Sequence, residues 1–331
     1  MAGRRQKKSG RRSYAWRYRG RIVACVFVEV IIICALVIMI GWNKGVKEWF
    51  EQFEQPVLKE VDISGINSPN AILMQARGGK ILGEINGEAQ IYPASMTKIM
   101  TVILGIENFD DLDEKITLTD EMFSGLYEQD ATQAGFQPGE EVRVIDLLYG
   151  AMLPSGAECC IALADTISGS EADFAELMNK KARKLGMENT HFCDSTGLHN
   201  PDHYSTVKDI AVLMKYCIKN DTFREIVETS RHSTGVTNIH PDGITYYSTM
   251  FKNLSDPTVT GGKILGGKTG YTSEAGHCLV SFAEIEGREY IFVSAGASGA
   301  EGNTIPHIQD AVTVYNRVGA AIEAKMNDNN K

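Results

Sequence analysis

The chain has 331 residues, of which 43% are hydrophobic, 23% charged and 8% aromatic, with 32 glycines and nine prolines. That composition excludes a disordered or collagen-like protein and leaves room for one large catalytic domain or two small ones. The net charge of −9 hides a split: residues 1–21 carry nine Lys or Arg and no Asp or Glu, which leaves 24 cations against 42 acids, a charge of −18, on the remainder. So acidic a body repels phosphate backbones, and no nucleic-acid partner is expected.

The basic arm leads into Ile22–Gly41, twenty residues with one charge, Glu29, and thirteen Leu, Ile, Val or Phe. At about 1.5 Å per residue such a helix spans roughly 30 Å, the thickness of a bilayer core. The apolar residues contribute about −4 to −8 kcal/mol to insertion against about +3 for the glutamate, so insertion wins. No small-residue cleavage pattern follows, and the sequence predicts an uncleaved signal-anchor over residues 22–42. The positive-inside rule keeps the arm 1–21 in the cytoplasm and makes the chain a single-pass protein of the cell membrane, its remainder outside. Residues 43–61 read as a juxtamembrane linker, 62–326 as the catalytic domain and 327–331 as a tail. Five of the seven cysteines, Cys159, Cys160, Cys193, Cys217 and Cys278, lie beyond the span. Without a C-x-x-C spacing they read mostly as small buried hydrophobes, and a Cys193–Cys217 disulfide stays open.

In the exported part, Asn70 to Ala76 and Lys80 to Ile85 flank Gly78-Gly79 and predict a hairpin. Ala94 to Ile106 is apolar at helical spacing. Further helices are expected over Ile145–Met152, stopped by Pro154, over Ala157–Ile167, over Ser170–Leu185 ending at Gly186, and from an N-cap at Thr206 to Lys219. Lys268-Thr269-Gly270 then stands at the head of a strand. Two apolar strands follow, His277 to Ile285 and Tyr290 to Ala295, joined by the turn 286–289 and so antiparallel. An amphipathic helix over Ile305–Lys325 closes the chain. Strands at both ends with helices between them predict an α+β domain around one antiparallel sheet.

Ser95-Met96-Thr97-Lys98 opens the first helix, where a three-residue spacing puts the hydroxyl of Ser95 and the amine of Lys98 on one face. A serine becomes a nucleophile when a base takes its proton, and a lysine serves if burial and a neighbouring cation favour its neutral form. Alone, S-x-x-K is a weak signal. Ser155, just after Pro154, can point a hydroxyl into a cleft, and Lys268 supplies a second cation among small residues that let a substrate approach the strand edge.

S-x-x-K, then a serine 60 residues on, then K-T-G 113 residues later is the motif set of penicillin-interacting serine enzymes. With the runs Tyr92–Lys98, Leu153–Glu158, Leu185–Phe192, Ser195–Leu198 and Gly267–Thr272, the chain resembles the serine-type D-alanyl-D-alanine carboxypeptidases, the low-molecular-mass penicillin-binding proteins, over about residues 63–318. The resemblance implies a DD-peptidase/β-lactamase-like fold, an antiparallel sheet flanked by helices with a helical lobe, preceded here by one transmembrane helix. It implies Ser95 as acylated nucleophile, Lys98 as general base and Ser155 as proton relay. Lys268 would hold the substrate carboxylate with Thr269, in a strand that continues through Gly270, and the backbone N–H groups of Ser95 and Tyr271 would form the oxyanion hole. The implied partners are peptidoglycan stem peptides ending in D-Ala-D-Ala, with β-lactams as covalent inhibitors, and no cofactor or metal is called for.

The sequence departs from the family pattern in two places. Ala157 stands where the family reads Asn, and residues 295–306 hold no arginine where relatives often place one near the carboxylate. Glu158 is either a surrogate polar group or a first-turn acid favoured by the helix dipole. The seven histidines form no metal signature, since Pro201 lies between His199 and His203. The alternatives are a β-lactamase or esterase with the same acylation machinery, and a non-catalytic penicillin- or peptidoglycan-binding module.

Overall fold

The computed structural model describes residues 58–254, 256–299 and 305–329. All belong to the second of two units into which the chain divides, 57–331. The basic arm and the span read as a signal-anchor lie outside the described residues. No helix among the described residues is long and apolar enough to cross a membrane.

The centre is a six-stranded antiparallel sheet. It is built from β1 (Asn70–Gln75), β2 (Ile81–Ile85), β7 (Thr258–Val259), β8 (Gly262–Thr272), β9 (Gly276–Ile285) and β10 (Arg288–Ala297). The order β2-β1-β10-β9-β8-β7 joins the two ends of the domain, as the strand pattern predicted. Apolar side chains alternate between two cores. Ile72, Met74, Val280, Phe282, Ile291 and Val293 face the larger cluster, whereas Leu73, Leu279, Ala283, Tyr290 and Phe292 face the smaller. With both faces covered, these strands read as continuous apolar runs rather than as polar–apolar alternation.

The larger core packs beneath α1 (Lys98–Asn108), α2 (Val144–Met152), α3 (Ala157–Ser168), α4 (Glu171–Leu185), α5 (Val207–Cys217) and α6 (Asp221–Glu228). Helix α1 is buried from Lys98 to Gly105, which accounts for its almost unbroken apolar sequence. The hydroxyls of Ser170 and Thr206 accept the backbone N–H groups of Asp173 and Asp209, and Gly186 ends α4 in the left-handed region, so the capping signals fall at the helix ends. The other face of the sheet is covered by the last helix, α8 (Pro306–Asn329). The chain also forms the short α7 (Thr249–Asn253) and two two-stranded sheets, β3 (Lys115–Thr117) with β4 (Glu141–Arg143) and β5 (Arg231–Ser233) with β6 (Thr245–Tyr247). These elements are too short to show a period, and the sequence reading did not contain them.

One expectation is corrected. The K-T-G run lies inside the eleven-residue strand β8 rather than at the head of a strand. Strand β7 pairs only with Gly262 and Lys263, so β7 covers none of the edge of β8 from Ile264 onward. Leu58 and Val61, placed in the linker, are buried, and Val61 N donates to Leu82 O at 2.8 Å. Cys193 and Cys217 are free thiols, as are the other three cysteines beyond the span.

Candidate active site

Ser95 does not sit in regular α-helix. Residues Ala94–Thr97 form a 3-10 turn, and α1 begins at Lys98. At three residues per turn, positions i and i+3 eclipse, which stacks Lys98 directly over Ser95. Lys98 Nζ lies 3.1 Å from Ser95 Oγ and donates at 2.6 Å to the carbonyl of Thr196, with the side chain only 3% exposed. Ala94 enters the turn at φ +48°, a conformation that costs a non-glycine residue about 1–3 kcal/mol. The carbonyl of Ala94 is met by Gly197, itself at φ +80°, where a Cβ would fall 2.0 Å from that oxygen. Only glycine closes this contact.

Ser155 occupies the break between α2 and α3 at φ +72°, a second strained position, and is 6% exposed. Lys268 reaches its hydroxyl from β8 at 2.9 Å and also donates to its neighbour's carbonyl, Thr269 O, at 2.8 Å. Lys268 is 1% exposed. Burial, and then the charge of Lys98, push its amine well below the usual lysine range. The sequence casts Lys268 as a standing cation; its burial beside Lys98 instead disfavours the charged form.

The strand edge completes the arrangement. Thr269 Oγ1 is 2.7 Å from Thr249 Oγ1 on α7. Gly270 lies so close to the turn Ala94–Thr97 that a Cβ on it would be 2.9 Å from Ser95 N, so β8 runs past the Ser95 amide with no side chain between them. Tyr271 is 62% exposed, its ring 4.6 Å from that of His277. Ser95, Ser155, Thr269, Gly270 and Tyr271 all line one cleft of about 740 Å³. The structure thus brings together Ser95, Lys98, Ser155, Lys268, Thr269, Gly270 and Tyr271: Lys98 and Lys268 stand behind the two hydroxyls as buried partners.

Several participants were not singled out. Thr249 carries no motif, Asp194 lies outside every family run, and Ser195–Gly197 enter only within the run Ser195–Leu198. Ala157 is buried at the start of α3. Glu158 is the first-turn acid of α3 and is not part of the cleft lining. It is buried, and its Oε1 accepts the amides of Ala134 at 2.6 Å and Gly135 at 2.9 Å, fixing the loop that contributes Gln129, Asp130 and Thr132 to the cleft wall. Burial raises its carboxyl. Cys160, close to both lysines, has its thiol pushed up to about 12, again chiefly by burial, and is a packing residue. Among the described residues no group of three or more His, Cys, Asp or Glu could hold a metal ion.

A family model described as D-alanyl-D-alanine carboxypeptidase matches residues 57–299. The chain belongs to this family. Its relatives include D-alanyl-D-alanine carboxypeptidase DacF of Bacillus subtilis, 35% identical over 231 residues that make up 69% of this chain and 57% of the relative. DacC of Escherichia coli is 33% identical over 72% of this chain and 58% of its own length. The chain therefore spans somewhat over half the length of these two family members. A mutant of the Streptomyces K15 DD-transpeptidase superposes with a TM-score of 0.69 at 30% identity, covering 77% of this chain and 98% of that structure. A D-alanyl-D-alanine carboxypeptidase of Mycobacterium tuberculosis, 22% identical with a TM-score of 0.69, has the same α+β fold.

Proposed function

We propose that this family member is a membrane-anchored serine D-alanyl-D-alanine carboxypeptidase that removes the terminal D-alanine from peptidoglycan stem peptides. The observation that carries the reading is the pairing of two buried lysines with two cleft hydroxyls, Lys98 with Ser95 at 3.1 Å and Lys268 with Ser155 at 2.9 Å. Ser95 Oγ attacks the penultimate D-alanine carbonyl while Lys98 takes the hydroxyl proton through its lone pair. The oxygen of the tetrahedral intermediate is held by the N–H groups of Ser95 and Tyr271, each worth about 3–4 kcal/mol when removed. Ser155 passes a proton to the departing amine, the C–N bond breaks, and D-alanine leaves. Water then cleaves the Ser95 ester. Lys268 and Thr269 hold the terminal carboxylate at the edge of β8, and Gly270 lets the substrate backbone lie against that edge.

A β-lactam presents a strained amide to the same nucleophile, and the remnant of the opened ring keeps water out, so acylation should outlast turnover. The basic arm and the apolar stretch 22–41 support anchoring in the cell membrane with the catalytic domain outside. Intact mass after incubation with penicillin, and then with a D-Ala-D-Ala-terminated peptide, tests the reading. A drug-sized shift on the peptide containing Ser95, together with release of D-alanine, is expected. A shift elsewhere, or rapid loss of the adduct without peptide cleavage, would replace it with a non-catalytic binder or a β-lactamase.

A further inference from the structure

Lys98 Nζ has two acceptors, and the shorter contact is to Thr196 O rather than to the nucleophile. Where that carbonyl stands therefore decides where the amine points. Thr196 lies in a loop wound around one carboxylate. Asp194 Oδ1 accepts the amide of Thr196 at 2.7 Å, its hydroxyl at 2.8 Å and the amide of Gly197 at 2.6 Å. The other oxygen, Oδ2, faces Nδ1 of His203 at 3.3 Å.

His203 is 2% exposed. Its Nδ1 is near both Asp194 Oδ2 and the amide of Cys193, the latter at 3.2 Å, and its Nε2 is 2.9 Å from Thr97 Oγ1. Burial works to raise the Asp194 carboxyl, but the His203, Thr196 and Gly197 contacts outweigh it and hold it at about 2. The Cys193 N–H donates to Nδ1, which leaves the ring proton on Nε2 to donate to the Thr97 hydroxyl, with the Asp194 carboxylate beside Nδ1 at 3.3 Å. Thr97 precedes Lys98 in the chain, which closes a ring: Lys98, the Thr196 carbonyl, Asp194, His203, Thr97 and back to Lys98. Buried networks satisfied at every member resist displacement.

We infer that Asp194 and His203 are positioning residues for the acylation step, holding Lys98 on Ser95 through the Thr196 carbonyl and the Thr97 hydroxyl. Neither touches the reacting atoms. The inference rests on the proposed function for its kinetic consequence, but the ring itself can be tested without turnover.

The test uses the full chain in detergent micelles, with penicillin as the probe. Rapid-quench kinetics separate its non-covalent Kd from the acylation rate constant, and the Lys98 ε-carbon NMR resonance is assigned by its loss in Lys98→Met. Asp194→Ala is expected to slow acylation about 10- to 100-fold, the scale of a misplacement of about 1 Å, with Kd little changed and the Lys98 resonance displaced. Asp194→Asn keeps an oxygen for the three loop donors and is expected to restore most of the rate. Thr97→Val keeps shape and loses the hydroxyl, so it should slow acylation in the same direction even if Asp194→Ala fails to fold. Acylation at the wild-type rate in Thr97→Val and in folded Asp194→Ala would overturn the inference, as would an unmoved Lys98 resonance or an Asn variant no better than Ala. If the wild-type chain is never acylated, the functional reading fails instead, and the resonance alone decides whether the ring holds Lys98.

Discussion

Gly270→Ala places the smallest possible obstacle between β8 and the nucleophile turn. The added methyl would sit 2.9 Å from Ser95 N, 3.1 Å from Ala94 Cβ and 3.3 Å from Pro93 O, so turn and strand must part by about 0.5 Å to regain ordinary contact. Strand β8 is paired with β9 from Gly262 to Thr272, which leaves the strained turn as the part that yields. Overpacking of this kind costs about 1–3 kcal/mol, a fall in Tm of roughly 2–10 °C for a unit of this size. The kinetic cost should be larger. The turn carries the Ser95 amide proposed as an oxyanion donor, and losing one such donor lowers kcat about 10²- to 10³-fold. Fluorescent-penicillin acylation followed by stopped flow, alongside thermal unfolding, measures both. A folded Gly270→Ala protein that acylates within about twofold of wild type would show that the turn does not need this approach, and the oxyanion assignment would fall.

Lys268→Met should abolish acylation yet stabilise the fold at pH 7. The folded value of this lysine is depressed, so between that value and the unfolded one, about 10.4, the unfolded chain binds more protons and wild-type stability rises with pH. The advantage of the Met variant in urea unfolding should therefore shrink from pH 7 to pH 9.5, and a constant difference would refute the assignment. Asp194, held at about 2, has the opposite sign: its stabilisation is fully present above about pH 4 and is lost as pH falls through about 2. Asp194→Asn should remove about 2 kcal/mol at pH 7 and less at pH 3, again read by urea unfolding. For topology, protease added to intact cells should remove the folded domain and spare the basic arm 1–21; protection of residues 58–329 would reverse the orientation.

Contact between Ser95 and Lys98 was legible because it is local: a three-residue spacing eclipses in any tight helical turn. The same holds for the caps at Ser170 and Thr206 and for the left-handed stop at Gly186, each fixed by backbone geometry within a few residues. Strand positions were legible from long apolar runs, but their extent was not. The K-T-G strand begins at Gly262 because pairing with β9 extends it, and the glycines within it weaken any propensity signal.

By itself the sequence marked the hydroxyls and amines that meet at the cleft and the segments that fold locally, since hydroxyl, amine and periodic apolar face are properties of short stretches. Only the tertiary structure decided what surrounds them. The Asp194–His203–Thr97 ring joins residues up to 106 positions apart. The depressed charge of Lys268 comes from burial by the whole domain and from Lys98, 170 positions away in the chain. Glu158 became a buried clamp for the cleft wall because the backbone amides of Ala134 and Gly135 were folded onto it. Electrostatics and hydrogen-bond satisfaction depend on distance in space, and sequence spacing encodes that distance only within a turn or two of the chain.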